Sequence, residues 1–272
     1  MSIKPLSFEE LAKEESIDFV YDHDANTVLI DDLGTIDLSV FVEMVMRYSY
    51  QINAAKISIK VNESQAIYFF QHGFKVEASI MAYYGLQDAF YVVYYLNDKH
   101  HKNHLATIHD KVLEKAYISK KNKLTDFSFD RVTVGTNTVR TNVESKDKLV
   151  FTGREHSIAD HDTHHKFFAQ SNDKIVATAT ASYDESQQVV EFSDFIVSAE
   201  FDVWQLLINL ITEMEQHFKA LKCTTAFTIV PASSLAINAI CVEQGFEFGG
   251  RLKNESLVDG ELDSLNTWFK RL

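Results

Sequence analysis

With 272 residues, 46 % of them hydrophobic, the chain can build a large core and exceeds the usual single-domain size, so one large or two modest domains are expected. Acidic residues outnumber basic ones in both halves, giving a formal charge of −13, and no basic patch stands out. Binding to nucleic acid begins with Lys and Arg replacing counterions on phosphates, so a nucleic-acid partner is not expected, and an acidic protein suits cationic small molecules better. No run reaches the ~18 apolar residues of a membrane span, and Met1-Ser2-Ile3-Lys4-Pro5 lacks the basic and apolar regions of a signal peptide. The expectation is a cytoplasmic protein with no membrane partner; a homo-oligomer is compatible with the sequence. Cys223 and Cys241 lie in apolar surroundings and are expected to be buried thiols.

Taken in chain order, Asp18 to Tyr21 and Thr27 to Ile30 read as strands joined by the turn-forming run 22–26. Leu38, Phe41, Met44, Val45 and Tyr48 follow the 3.6-residue period of a helix on a sheet. A strand over Lys56 to Val61, a helix over Glu63 to His72 closed by Gly73, and strands through Val76 and from Phe90 to Leu96 complete a first α/β unit over 1–97. Residues 98–126 are charged and carry a narrow apolar stripe, Leu105, Ile108, Val112, Leu113 and Ala116, expected on a connecting helix. A second unit over 127–272 holds strands at 174–183 and 188–197, a long helix at about 202–221, a strand at 224–230, a helix at about 234–244 and terminal strands. The 224–230 strand should lie beside the 188–197 strand and diverge from it near Pro231, because proline cannot donate to a ladder.

One internal echo stands out. Ile57-Ser58-Ile59-Lys60-Val61 with Ser64-Gln65-Ala66-Ile67 and Gly73-Phe74 parallels Phe227-Thr228-Ile229-Val230 with Ser234-Leu235-Ala236-Ile237 and Gly245-Phe246. Both read as strand, helix, Gly-Phe, strand: either convergence on a common αβ connection or two related folds in tandem.

The run from Gly245 to Asn254, with Gly249-Gly250-Arg251-Leu252-Lys253-Asn254, followed by Gly260-Glu261-Leu262-Asp263-Ser264-Leu265-Asn266-Thr267-Trp268-Phe269-Lys270, resembles the end of the beta-lysine N-acetyltransferases of the GNAT superfamily. Glu191-Phe192-Ser193-Asp194-Phe195, Met214-Glu215 and Asn238 are similar to that family's Glu-Met-Thr-Asp-Phe strand, its Met-Glu and the Asn after its Ser-x-Gly-Met. Matches continue in the first half at Lys56-Ile57, Lys60-Val61 and Gly73 to Ala78, while 98–175 shows none. The resemblance implies a mixed-sheet α/β (α+β) acyltransferase fold, preceded by an abbreviated unit of the same kind, with acetyl-CoA as cofactor and a small amine as substrate. It places Asp194 near the active site and Glu191 as either the base or a surface carboxylate. It further implies cofactor contacts at Phe195, Val197, Trp204, Gln205, Leu206 and Asn238, and an amine pocket lined by Asn254, Asp263 and Asn266.

The chain departs from the family where the cofactor's pyrophosphate is gripped. Instead of Arg-Gly-x-Gly at the start of the long helix it reads Glu200-Phe201-Asp202-Val203-Trp204-Gln205-Leu206, without glycine. Asp202 with Gln205 is a helix-start pair whose carboxylate takes the N–H groups a phosphate would use. At about 5 Å and an effective dielectric near 20 the repulsion amounts to roughly 3 kcal/mol, so acetyl-CoA is expected to bind weakly, and the alternative is a protein of this fold that has lost catalysis and works as a ligand-binding or protein-interaction module. Cys241 stands where many acetyltransferases carry a Tyr that protonates the leaving thiolate. Glu191 and Asp194, three apart, point to opposite faces of an unbulged strand. The run Asp160-His161-Asp162-Thr163-His164-His165 puts His161 and His165 on one face only if it is helical, and no metal site is expected from it, nor from His100, His101 and His104.

Overall fold

A computed structural model describes residues 7–119, 133–137, 143, 145–154, 163–258 and 260–272. The first helix, α1 (Phe8–Glu14), opens with a capping box: the Ser7 hydroxyl accepts from the Glu10 N–H at 3.2 Å and the Glu10 carboxylate accepts from the Ser7 N–H at 2.8 Å. Strands β1 (Asp18–Asp22) and β2 (Thr27–Asp32) form a hairpin whose turn is held by Asp22, which accepts from the N–H groups of Asp24 and Ala25. Then come α2 (Leu38–Gln51), β3 (Lys56–Asn62), α3 (Glu63–Gln71), β4 (Lys75–Tyr84) and β5 (Gln87–Tyr95). The connecting segment forms α4 (Asp98–His101) and α5 (Ala106–Ser119). The second half contains β6 (Thr133–Asn137), β7 (Lys148–Phe151), β8 (Thr163–Ser171), β9 (Lys174–Asp184), β10 (Val189–Ser198), α6 (Val203–Ala220), β11 (Thr225–Pro231), α7 (Leu235–Glu243), β12 (Glu247–Val258) and β13 (Glu261–Arg271).

The described strands make one mixed sheet in the order β1-β2-β3-β5-β4-β12-β13-β11-β10-β9-β8-β6, with β7 added to β10. The run β1-β2-α2-β3-α3-β4-β5 is matched, element for element, by β9-β10-α6-β11-α7-β12-β13. Each begins with an antiparallel hairpin, crosses through a helix to a parallel strand, and inserts its last strand between the two before it. The two runs join through the equivalent strands β4 and β12, antiparallel, with Gly250 opposite Ala78. Gly249 and Gly250 permit that seam: a Cβ would lie 2.1 Å from the Ser79 carbonyl oxygen at the first and 2.3 Å from the Glu77 carbonyl oxygen at the second, where φ is +135°.

Helices cover one face of each run. Leu206, Leu207, Leu210, Ile211, Met214 and Phe218 of α6 pack with α7 on Phe192, Phe195 and Val197, while Phe41, Val42 and Val45 of α2 pack with Phe69 of α3 on Val28, Ile57 and Ile59. On the other face Ile80, Tyr83 and Tyr91 meet Val189, Phe227 and Ile229, so the helix-free surfaces of the two halves bury one another. Both cysteines are buried, and burial pushes the Cys223 thiol up to about 11.

One expectation needs correction. Separation of β10 from β11 comes earlier than Pro231: the parallel pairing covers only Val189–Glu191 with Thr225–Phe227, and β7 pairs with Phe195–Ser198 beyond it. Pro231 itself keeps its place opposite Leu265 of β13. His164 and His165 lie on strand β8, so the helical spacing needed for a metal pair is absent; His161 lies outside the described residues. Among the described residues no group of three or more His, Cys, Asp or Glu side chains could hold a metal ion, and no helix is long and apolar enough to cross a membrane.

Candidate functional site

A cavity of about 690 Å³ lies between the helix-free faces of the two halves. Strand alternation places its lining: Val189 and Glu191 come from β10, Phe227 and Ile229 from β11, and Lys60 from the polar side of β3. Asp31 and Asp32 of β2, Tyr83 and Tyr84 of β4 and Tyr91 of β5 complete the first-half wall; the β9–β10 hairpin adds Asp184 and Glu185 opposite. With Asp18, six carboxylates face two cations, Lys60 and Arg154, among the described residues, which gives the cavity a field that favours a cationic guest.

Arg154 is anchored by both halves. It pairs with Asp31 through one guanidinium nitrogen and with Glu255 at 2.8 Å through Nε, donates to the Ser58 carbonyl at 3.0 Å, and lies 4.9 Å from the Tyr91 ring centre. Glu255 continues the network to Lys56 at 2.8 Å, and Lys56 reaches Glu77 at 2.9 Å and the Lys253 carbonyl at 2.9 Å. Burial alone would lower the Arg154 and Lys56 pKa values; the surrounding carboxylates more than offset it, so both are raised. Gly153, just before Arg154, passes so close to β11 that a Cβ would fall 2.2 Å from the Ile229 carbonyl oxygen. Burial raises the pKa of Tyr83, Tyr84 and Tyr91, keeping their hydroxyls protonated as donors.

A second region lies at the start of α6. Asp202 is the N-cap, accepting from the Gln205 N–H at 3.2 Å, and Ser145 donates to Glu200 at 3.3 Å. The β10 edge carrying Phe195 and Val197 is paired along Phe195–Ser198 with β7. As arranged, these residues do not fit the pyrophosphate and extended chain of a CoA thioester: the capping carboxylate takes a helix-start N–H, a second carboxylate adjoins it, and another strand lies on the neighbouring edge.

The residues read from the sequence separate accordingly. Glu191 lines the cavity. Asp194 sits at φ +49° in a β-bulge between Ser193 and Ile196 and is exposed, outside the cavity lining. Phe195, Val197 and Leu206 point into the core under the helices. Trp204 donates to Glu243 at 2.8 Å, and the Gln205 side chain donates to Asn209 at 2.8 Å. Asn238 is saturated: its amide donates to the Pro231 and Ser234 carbonyls, and its oxygen accepts from Asn266 at 2.8 Å and Trp268 at 2.9 Å. Asn254, at φ +52°, donates to the His100 and Lys102 carbonyls, and Asp263 pairs with buried His109 at 2.6 Å and accepts from Ser233 at 2.6 Å. Burial would raise the Asp263 pKa, but His109, the Ser233 hydroxyl and the Ser264 N–H together lower it below the ordinary aspartate value. Asn254, Asp263 and Asn266 therefore tie β12 and β13 to the connecting segment and to α7, away from the cavity. The sequence reading missed Asp31, Lys60, Tyr83, Tyr91 and Arg154. For Lys60 a signal was present: Lys56, Ser58 and Lys60 alternate with Ile57, Ile59 and Val61, marking a strand with one polar face.

No protein-family model matches the chain. It is similar to the N-acetyltransferase YodP of Bacillus subtilis (strain 168), 28 % identical over 101 residues, which is 37 % of each chain. A beta-lysine N(6)-acetyltransferase of Methanococcus maripaludis is 28 % identical over 104 residues, 38 % of each. The chain thus matches well under half the length of these curated relatives. Among solved structures, a ribosomal-protein-alanine N-acetyltransferase from Brucella melitensis aligns with a TM-score of 0.37 and 20 % identity, over 40 % of this chain and 69 % of the other. The likeness to beta-lysine N-acetyltransferases carried by the C-terminal motifs is thereby found by comparison with whole curated sequences as well.

Proposed function

We propose that this protein is an N-acetyltransferase whose acceptor is a small cationic amine held in the cavity between the two halves. The observation that carries the acceptor class is the excess of carboxylates over cations in that cavity, with Glu191 on its wall. The reaction class comes from the curated relatives, and beta-lysine is the acceptor in the names of those from Methanococcus maripaludis and Methanosarcina mazei. In this reading Glu191 holds the ammonium by a charge-assisted hydrogen bond and accepts its proton. We take 1–97 as a degenerate unit of the same fold, 98–126 as the connector and 127–272 as the acetyltransferase unit, acting on a free metabolite in the cytoplasm. The first half then serves as one wall of the acceptor site.

A second reading, an amine-binding module without turnover, is favoured by the start of α6 and by β7 on the β10 edge, which do not fit acetyl-CoA as they stand. Incubation with acetyl-CoA and beta-lysine, with mass-spectrometric detection of acetyl-beta-lysine, separates the two. Product that disappears in Glu191→Gln supports the enzyme. Calorimetric binding of beta-lysine without product supports the module, and absence of amine binding sinks both.

A further inference from the structure

Among the described residues the cavity's two cations are in different states. Arg154 is committed to Asp31, Glu255 and the Ser58 carbonyl. Lys60 donates to the Tyr83 hydroxyl at 2.8 Å, lies 4.7 Å from that ring's centre, and forms no ion pair with a carboxylate among the described residues. An ammonium has three donors, so Lys60 keeps hydrogen-bonding capacity beyond the one tyrosine. Tyr83, Tyr84 and Tyr91 line the same wall and supply hydroxyl groups to it. Across the cavity stand Asp184, Glu185 and Glu191. One wall thus offers a cation with hydroxyl donors and the other offers acceptors, a polarity that a simple diamine, cationic at both ends, does not match.

We propose that Lys60, from the first half, is the specificity-determining residue that anchors a carboxylate of the acceptor, so that the preferred guest is an amine that also bears a carboxylate. This rests on the acceptor-cavity reading above and deepens it. The guest's ammonium faces Glu191 and its carboxylate faces Lys60 and the tyrosine hydroxyls. The Asp31 charge acts on Lys60 and helps hold its ammonium protonated, while the Asp31 carboxylate is in ion-pair contact with Arg154. Lys60 touches the guest at the end remote from the reacting amine, so its loss weakens binding of one class of ligand rather than chemistry.

The test uses two ligands that differ by a carboxylate alone, beta-lysine and pentane-1,4-diamine, titrated calorimetrically into the full-length wild type, Lys60→Met and Lys60→Arg. A charge-assisted contact of this kind corresponds to roughly 10- to 100-fold in affinity. The wild type should bind beta-lysine at least ~10-fold more tightly than the diamine. Lys60→Met should remove that preference by weakening beta-lysine alone, and Lys60→Arg should restore part of it, which a general loss of folding would not allow. Equal binding of the two ligands by the wild type, or an unchanged preference in Lys60→Met, would overturn the assignment of Lys60. Binding of neither ligand by the wild type is a different result and overturns the acceptor cavity itself.

Discussion

The two halves repeat one order of strands and helices and differ most where their first parallel strands part. In the first half β2 and β3 stay paired over Thr27–Ile30 and Lys56–Ile59, and β2 ends two residues later. In the second, β10 parts from β11 after Glu191, bulges at Asp194 and runs on to Ser198 with β7 on its freed edge. Yet the long helices that follow start alike: Asp37 caps α2 by accepting from Ser39 and Val40, and Asp202 caps α6 by accepting from Gln205. Neither half presents its helix start bare to an anion. The repeated topology leaves one half with a closed parallel pair, whose polar face becomes a wall of the cavity, and one half with an opened edge filled by its own chain.

The comparison breaks most severely if the halves are not coupled by the buried ions. Lys56, Glu77, Glu255 and Arg154 expose 2 % or less of their side chains and span β3, β4, β12 and the segment after β7. Glu255→Gln leaves Lys56 and Arg154 short of a partner charge and should cost about 3 to 5 kcal/mol in equilibrium denaturation at about pH 7. Burial would raise the Glu255 pKa, but Lys56 and Arg154 hold it below the ordinary glutamate value. A depressed folded pKa gives stability that is present above the unfolded value and lost as pH falls through the folded one, so the gap between wild type and variant should narrow as pH falls below the ordinary glutamate value. For Lys56 the raised pKa works the other way: its contribution is full below the ordinary lysine value and lost as pH rises through the folded one. A variant as stable as wild type at neutral pH would show that the halves are held by the seam and apolar contacts alone.

The seam offers the next largest effect. Gly250→Ala forces a side chain into a strained φ and onto the Glu77 carbonyl, and should cost about 3 kcal/mol or more. Gly260, at φ +82° with open space around it, isolates the conformational part, about 1 to 2 kcal/mol for Gly260→Ala. If the two variants melt at the same temperature, close approach at the β4–β12 junction is not what Gly250 provides.

These contacts explain how far the sequence could be read. Periodicity located most of the helices and strands, because burial of one face leaves a pattern along the chain. The C-terminal matches proved to be mainly structural ties: Glu215 holds Lys270 at 2.7 Å, Asn238 joins Asn266 and Trp268, and Gly249-Gly250 makes the seam. The hydrogen-bonding groups of such residues are engaged within the fold, so motif resemblance pointed to β12 and β13, outside the lining of the cavity. Strand β7 carries only four residues, three of them exposed, and gives no periodic signal. Arg154 lies next to it and is defined by partners 96 to 123 residues away in sequence, a separation that no local pattern records. The short α1 is legible in the capping pair Ser7 and Glu10.

The smallest effect concerns the capping aspartates, and it follows from exposure. A repulsion of roughly 3 kcal/mol assumes an effective dielectric near 20, but Asp202 is exposed to solvent, where two charges about 5 Å apart repel by only ~1 kcal/mol, or about fivefold in affinity. Loss of either cap, in Asp37→Ala or Asp202→Ala, should lower stability by about 1 kcal/mol. Asp202→Gly should then improve CoA binding by no more than ~5-fold in a calorimetric titration. The larger obstacle is β7, because backbone pairing along Phe195–Ser198 excludes another occupant whatever its charge. Successive residues of a strand direct their N–H groups to opposite sides, so Leu149→Pro with Val150→Pro removes whichever donor faces β10 and should free that edge. CoA affinity rising more in the β7 variant than in Asp202→Gly places the barrier in the strand. A gain confined to Asp202→Gly would place it in the charge, and would mean that the opened edge of the second half is not the feature that sets it apart from the first.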